Sequence, residues 1–208
     1  MAANIMSSSD ITKEFENMTF ANFSEDGLDP IVIEMKNRAI DYYKEYPNQH
    51  KETQNSIALL GQPGVGKTHL LTALSNSFIK QRLKRVQYFP YVEGFDDLRN
   101  DFDKLQSKLE AMKKADILFI DDLFKPVSKM DKYGERRKVP RATEWELEKI
   151  YAVINYRYMN KLPIFISSEL SFEEMFELDE ALGSRIFQMC KKYFVTADKD
   201  FSLNYRLR

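Results

Sequence analysis

The sequence predicts an α/β fold in which a five-stranded parallel sheet is sandwiched between helices. Short apolar runs, "SIALL", "VQYFPYV", "DILFIDDL", "PIFISS" and "YFVTA", alternate along the chain with stretches of helical periodicity. The glycine-rich stretch "GQPGVGKTH" lies between the first run and the first helical stretch to follow it, and an acid pair closes the third. In open parallel sheets ligands bind beyond the carboxyl ends of the strands, and both features fall there.

Each element has its own warrant. Residues 1–28 are polar and serine-rich, interrupted by Phe15, Phe20 and Phe23. They are expected to form an arm that packs on a core spanning 29–208, with no separate large lid domain. Asp29-Pro30 opens a helix to about Tyr43, with Asp as N-cap and Pro in the first turn. "YPNQHKETQNS" reads as a polar connector. Leu70, Leu71, Leu74, Phe78 and Leu83 recur at helical spacing after the glycines. Leu98, Phe102, Leu105, Leu109 and Met112 predict one long amphipathic helix. "FKPVSKMDKYGERRKVPRA" lacks periodicity and is expected to be a loop. Thr143 with Glu146, and Ser171 with Glu174, are capping boxes that each open a helix. Ile150, Val153, Ile154 and Tyr158 mark the apolar face of the first.

Composition narrows the function. The 208 residues carry 31 basic and 32 acidic side chains, so any nucleic-acid contact must come from a local patch. No apolar run approaches the ~20 residues that span a bilayer, and no membrane partner is expected. The start, "MAANIMSSSD", lacks the pattern of a signal peptide. The single cysteine, Cys190, excludes an internal disulfide framework and fits a reducing cytosol; a cytoplasmic location is expected. One cysteine and two histidines argue against a zinc site. His50, His69, Cys190 and Trp145 read as a connector, a helix-face residue, a core-edge thiol and a packing anchor.

Three of the chain's seven glycines, Gly61, Gly64 and Gly66, fall within six positions, directly before Lys67 and Thr68. Gly61-x4-Gly66-Lys67-Thr68 fits the P-loop pattern, after a predicted strand and at the start of a helix. Backbone N–H groups must converge on phosphate oxygens, which requires angles that glycine tolerates. The helix N-terminus adds partial positive charge. Lys67 is expected to reach the terminal phosphates and the Thr68 hydroxyl to ligate Mg2+. Gln62, Pro63, Val65 and His69 complete the nucleotide-binding segment. In "ILFIDDL", four apolar residues bury a strand and two acids emerge at its tip. Asp121 is expected to hold magnesium through water, and Asp122 to orient or deprotonate the attacking water.

These residues resemble the DnaC/DnaI-type branch of the AAA+ ATPases, the bacterial and phage helicase loaders. "MTFANF" looks like the aromatic segment ahead of that family's core, and "ILFIDDL" like its Walker B. "EWELEKIYAVINYRYMNKLPIFISSE" resembles the helix and strand leading to sensor 1; "LGSRIFQMCKKYFV" and "LNYRLR" resemble the closing helix, strand and terminal arginine. The resemblance spans roughly Phe20 to Arg208. It implies ATP and Mg2+ as cofactors, a replicative helicase and single-stranded DNA as partners, and self-association on nucleotide or DNA. It implies Arg185 as a finger completing a neighbour's site, and Arg206 within "NYR" as the sensor-2 arginine. Three departures stand. Sensor 1 falls on Ser167-Ser168-Glu169; either Ser168 serves, or Glu169 does, facing magnesium, a lysine or the attacking water. Arg185 lacks the usual second arginine, since Met189 follows it at that spacing. The helicase-docking region expected ahead of the core is nearly absent, which reads as a truncated or a shorter variant. Arg157 reads equally as a contact to a neighbour's nucleotide or as a surface salt bridge, and Arg185 and Arg206 each have an ordinary structural reading.

Between Lys125 and Arg141 lie Lys129, Lys132, Arg136, Arg137 and Lys138, with Tyr133 among them. A basic segment with an aromatic suits a single-strand backbone, although such runs are also simply solvated. The leading reading is an ATP-hydrolysing AAA+ module of a helicase loader. A transposase-helper ATPase, a small-molecule phosphoryl-transfer kinase with this loop as its lid, and a nucleotide-binding module without turnover are the alternatives.

Overall fold

In the computed structural model the chain is described over residues 15–198 and 200–207. Residues 1–14 of the expected arm lie outside that range, as do Lys199 and Arg208. The five apolar runs form β1 (Ile57–Gly61), β2 (Val86–Pro90), β3 (Ile117–Asp121), β6 (Ile164–Ser168) and β7 (Phe194–Ala197). They make one parallel sheet in the order β2-β3-β6-β1-β7. β1, β3 and β6 are buried along their whole length, which is why they read as continuous apolar runs.

The period of two is still present within those runs. Ile57, Leu59, Ile117, Phe119 and Phe165 face one apolar cluster, built with α1 (Pro30–Gln49) and α2 (Lys67–Arg82). Ala58, Leu60, Leu118, Ile120, Ile164 and Ile166 face the other. That second cluster includes α3 (Tyr91–Leu98), α4 (Phe102–Lys114), α5 (Glu144–Met159), α6 (Phe172–Leu178) and α7 (Glu180–Cys190). Among the described residues no helix is long and apolar enough to cross a membrane.

Both capping boxes form, Thr143 with Glu146 and Ser171 with Glu174. Asp29 caps α1 by accepting from Ile31 N at 2.9 Å. The helix does not stop near Tyr43, however; it continues past Pro47 to Gln49. Pro47 has no N–H to offer the Tyr43 carbonyl. Arg82 donates to that carbonyl instead, at 2.7 Å, with its guanidinium 4.3 Å from the Tyr43 ring. The expected long helix beginning at Leu98 is two helices. Pro90 ends the strand, Tyr91 opens α3, and Asp101 caps α4 through Lys104 N at 2.9 Å. Phe102, assigned to the buried face, is 72% exposed.

The segment expected to be a loop is an antiparallel hairpin of β4 (Val127–Met130) and β5 (Arg136–Val139). Its turn is built by Asp131, whose carboxylate accepts from Tyr133 N and Glu135 N at 2.8 and 3.0 Å, and by Gly134 at φ 81°. Apolar alternation is missing because both strands are largely solvent-exposed. Phe15, Phe20 and Phe23 pack against the α1–α2 cluster. The segment that carries them is stitched to α2: Asn76 donates to the carbonyls of Phe15 and Met18 at 2.8 and 2.9 Å, and Lys80 to that of Glu16 at 3.0 Å.

Arg157 matches neither reading offered for it. It is fully buried, and donates to the carbonyls of Met112, Lys113 and Ala115 at 2.8, 3.1 and 3.0 Å and of Pro163 at 2.7 Å. These include carbonyls at the C-terminal end of α4, which lack intrahelical donors. The guanidinium also answers the negative end of the helix dipole. Burial pulls its pKa down to about 9, opposed mainly by Tyr42 and Asp116. Arg157→Met should therefore destabilise the fold by at least ~2 kcal/mol, because buried carbonyls lose their donors. Urea unfolding measures this, and a loss under about 0.5 kcal/mol would contradict the assigned role.

Candidate functional site

The glycine loop joins β1 to α2, and its backbone explains its composition. Gly64 and Gly66 have φ of 86° and 90°, and Gly61 has 124°. These are angles that side-chain-bearing residues rarely adopt. Neighbours also press on each one. A Cβ on Gly61 would strike the Ala197 carbonyl, one on Gly64 would strike the Asn204 side chain, and one on Gly66 would stand 2.6 Å from the Phe23 ring. The C-terminal tail thus packs directly on the loop. Tyr205 N donates to Gly64 O at 3.2 Å, and the Gln62 side-chain amide donates to Asp200 O.

A cleft of about 410 Å3 opens above the loop. Pro63, Gly64, Gly66, Lys67, Thr68, His69, Asp122 and Arg206 line it, joined by Phe15, Met18, Phe23, Lys125, Glu169 and Tyr205. Lys67 is buried, and its ammonium group donates to Gly61 O at 2.6 Å and Gln62 O at 2.8 Å. Burial lowers its pKa to about 8, against the pull of Asp122, Glu169 and Asp121. Three residues of the predicted nucleotide segment lie apart from the lining: Gly61 at the strand end, Gln62 with its side chain on the tail, and Val65 buried in the α1–α2 cluster.

At the tip of β3, Asp121 is 7% exposed and surrounded by hydroxyls. Thr68 Oγ1 donates to its Oδ1 at 2.8 Å, Ser167 Oγ donates to the same oxygen, and Tyr88 Oη donates to Oδ2 at 3.1 Å. Burial raises the Asp121 pKa; the Ser167 bond pulls it back, the charge of Asp122 adds to the rise, and the Thr68 and Tyr88 bonds lower it. Asp122 follows in a left-handed conformation, φ 54°, with its N–H on Ser167 Oγ at 2.8 Å and its carboxylate 2.6 Å from Lys125 Nζ.

The sequence-predicted residues separate clearly in space. Lys67, Thr68, Asp121 and Asp122 come together. Arg206 reaches the cleft from the tail, and His69 lies on its wall with its ring against Phe23. Ser168 turns away, donating to Leu123 O at 2.7 Å and accepting from Leu170 N at 3.0 Å, whereas Glu169 lines the cleft. Arg185 lies outside it on α7, donating to Asn155 Oδ1 and Ala181 O at 3.0 and 2.7 Å and stacked 5.2 Å from the Tyr151 ring. Sequence reasoning missed Ser167 and Tyr88 as partners of Asp121, and Phe23 as a wall. Strand register identifies the first two: β6 lies beside β3 with Ile120 opposite Ile166, and β2 beside β3 with Tyr88 opposite Phe119.

The residues fit a phosphate chain with magnesium. A hydroxyl beside a carboxylate is the hard-oxygen set that magnesium takes. The loop's left-handed backbone and the N-terminus of α2 form a concavity for anions, with Lys67, Lys125 and Arg206 around it.

Comparison with known proteins gives the family and the fold. Residues 46–191 match the family model described as IstB-like ATP binding protein. The chain is 51% identical over 206 residues to the Bacillus subtilis (strain 168) protein YqaM, described as uncharacterized, covering 99% of this chain and 63% of that protein. It is 47% identical over 204 residues to the phage-like element PBSX protein XkdC of the same strain, covering 98% of this chain and 73% of XkdC. The chain thus spans less than two thirds of YqaM's length. Among solved structures, DnaI superposes with a TM-score of 0.71 at 21% identity, covering 95% of each chain. The DnaC helicase loader superposes with 0.64 at 22% identity, covering 89% of this chain and 99% of that one. The five-stranded parallel sheet with its glycine loop is the P-loop AAA+ fold of those neighbours. The chain belongs to the family of IstB-like ATP-binding proteins.

Proposed function

We propose that this chain binds ATP with magnesium in the cleft, hydrolyses it, and acts as the switching module of a helicase loader on single-stranded DNA. The observation that carries the nucleotide reading is the 2.8 Å contact between Thr68 and Asp121, which joins the start of α2 to the tip of β3. Thr68 and Asp121 would hold the metal, Asp121 through water. Bound magnesium neutralises charge on the phosphates. Lys67 exchanges its loop carbonyls for phosphate oxygens. Asp122 accepts the proton of the attacking water as that oxygen bonds to the terminal phosphorus and the bond to the bridging oxygen breaks toward ADP. Glu169 serves at the sensor position, lining the cleft with Lys67, because Ser168 is already engaged by backbone groups. Arg206 meets the nucleotide from the tail, and Phe23 and Met18 offer an apolar wall to its base. Arg185, being outside its own cleft, acts on a neighbour's.

The hairpin is the proposed DNA contact. Arg137 is engaged by Asp131 and Glu135 at 3.0 and 3.4 Å, and Arg141 by Asp96 at 2.7 Å. Register places Met130, Arg136 and Lys138 on one face, with Lys132 and the 76% exposed Tyr133 at the turn. The resemblance to helicase loaders supports the DNA and helicase partners, and the likeness in fold is compatible with it.

Lys67→Ala should weaken ATP binding at least about tenfold in calorimetry, since charge-assisted bonds to phosphate are lost. Unchanged affinity would remove Lys67 from the site. Mixed with Arg185→Ala protein, the Lys67→Ala protein should recover ATPase activity. Absence of recovery in mixtures shown to co-assemble would count against action in trans.

For the hairpin, replacing Lys132, Arg136 and Lys138 together with alanine should flatten the slope of log affinity against log salt by up to ~2, at roughly 0.7 per phosphate. Tyr133→Ala should lose ~1–3 kcal/mol with little salt dependence. Anisotropy with a short oligonucleotide at several salt concentrations reads both. Parental affinity and slope in the triple variant would make the hairpin a solvated insertion.

A further inference from the structure

We infer that Lys125 is a phosphate-responsive latch on Asp122: its ammonium group holds the carboxylate in the ion pair seen here, and the terminal phosphate of a nucleoside triphosphate draws it away. The inference rests on the nucleotide reading above and adds a residue with its own job to that site.

Lys125 Nζ stands 2.6 Å from Asp122 Oδ2, and both side chains line the cleft with Gly66, Lys67 and Thr68. While the pair is made, the ammonium group occupies Oδ2 of Asp122. A water can meet that oxygen only when the ammonium group has moved away. The lysine is suited to moving. Its side chain is 45% exposed and that of Asp122 is 32% exposed, and ion pairs this accessible are weak. A terminal phosphate carries more negative charge than a carboxylate and competes for the same ammonium. Burial lowers the Lys125 pKa and the bond to Asp122 raises it, with a net rise, so the group is fully charged at neutral pH.

The backbone between the two residues is held where the latch needs it. Asp122 and Phe124 are both left-handed, φ 54° and 57°, without being glycine. Such conformations persist only where surroundings over-determine them. Here Leu123 and Phe124 are buried, Leu123 N donates to Ser167 O at 2.9 Å, Ser168 Oγ donates to Leu123 O at 2.7 Å, and Lys125 N donates to Asp122 O at 3.0 Å. The turn is therefore fixed and the lysine side chain is its adaptable part. When Lys125 moves to the terminal phosphate, the freed Asp122 carboxylate accepts one proton from water. The water oxygen bonds to the terminal phosphorus, and the electron pair of the broken bond goes to the bridging oxygen of the departing diphosphate. A nucleoside diphosphate lacks the group that draws the lysine, so the latch separates ATP from ADP.

A double-mutant cycle read by calorimetry tests this without any measurement of turnover. ATP and ADP, each with magnesium, are titrated into the wild-type protein, Lys125→Ala, Asp122→Asn and the double variant. Lys125→Ala should weaken ATP roughly fivefold or more and change ADP less than about twofold. Lys125→Arg, which keeps the charge, should restore most of the ATP affinity. Asp122→Asn should tighten ATP, because the lysine no longer leaves a carboxylate, and that gain should shrink by at least about threefold when Lys125 is alanine. If Asp122→Asn merely relieves repulsion of phosphate, its gain will persist in full without Lys125, and the latch is overturned. An unaltered ATP-to-ADP preference in Lys125→Ala overturns it equally. If the wild-type protein binds ATP and Lys125→Ala is indistinguishable from it, the latch alone falls. If the wild-type protein binds neither nucleotide, the nucleotide reading falls and the latch with it.

Discussion

The Asp121 carboxylate is the contact around which the described structure is organised. It is almost fully buried, and burial of an ionised group is costly unless donors surround it. Three hydroxyls do so: Thr68 from the start of α2, Ser167 from β6 and Tyr88 from β2. The strand order makes this arrangement possible. β3 lies between β2 and β6, and β1, which launches the glycine loop, lies on the far side of β6. Slipping β2 or β6 by one residue would turn its hydroxyl to the opposite face. The cleft's geometry is therefore a consequence of sheet register.

That dependence also explains what could be read from sequence. The glycine loop, the acid pair and both capping boxes are local patterns, and each occurs where its residues predict. The parallel sheet was legible because its strands are buried on both faces and so read as apolar runs. Ser167 was harder to see: in "ISSE" nothing distinguishes the serine that meets Asp121 from the one that bonds the Leu123 carbonyl. The hairpin escaped notice because its exposed strands have no apolar alternation. Arg157 looked like a surface residue because its partners are all backbone carbonyls, which leave no trace in composition. The extension of α1 past Pro47 needed Arg82, far along the chain, to answer a carbonyl.

Both ends of the described chain converge on the glycine loop. Phe23 lies against Gly66, Asn204 against Gly64, and Tyr205 bonds both the Gly64 carbonyl and, through its hydroxyl, Asp29 N at 2.7 Å. The base of the hairpin borders the cleft too. An adjoining hollow of about 480 Å3 shares Pro63 and Glu169 with it and is walled by Pro126, Lys138 and Pro140. A ligand that moves the loop therefore bears on the tail, the aromatic arm and the basic hairpin together. The proposed switch, in which nucleotide state alters distant surfaces, would act through these contacts.

The central claim is that backbone amides of the glycine loop and the first turn of α2 hold the phosphates. Amide hydrogen exchange, with and without saturating ATP and magnesium, tests it most directly. The account predicts slowed exchange at Gly64 to His69, and in the tail around Asn204 and Tyr205 that packs on the loop. Bound ATP that leaves those amides unprotected while protecting another region would contradict it.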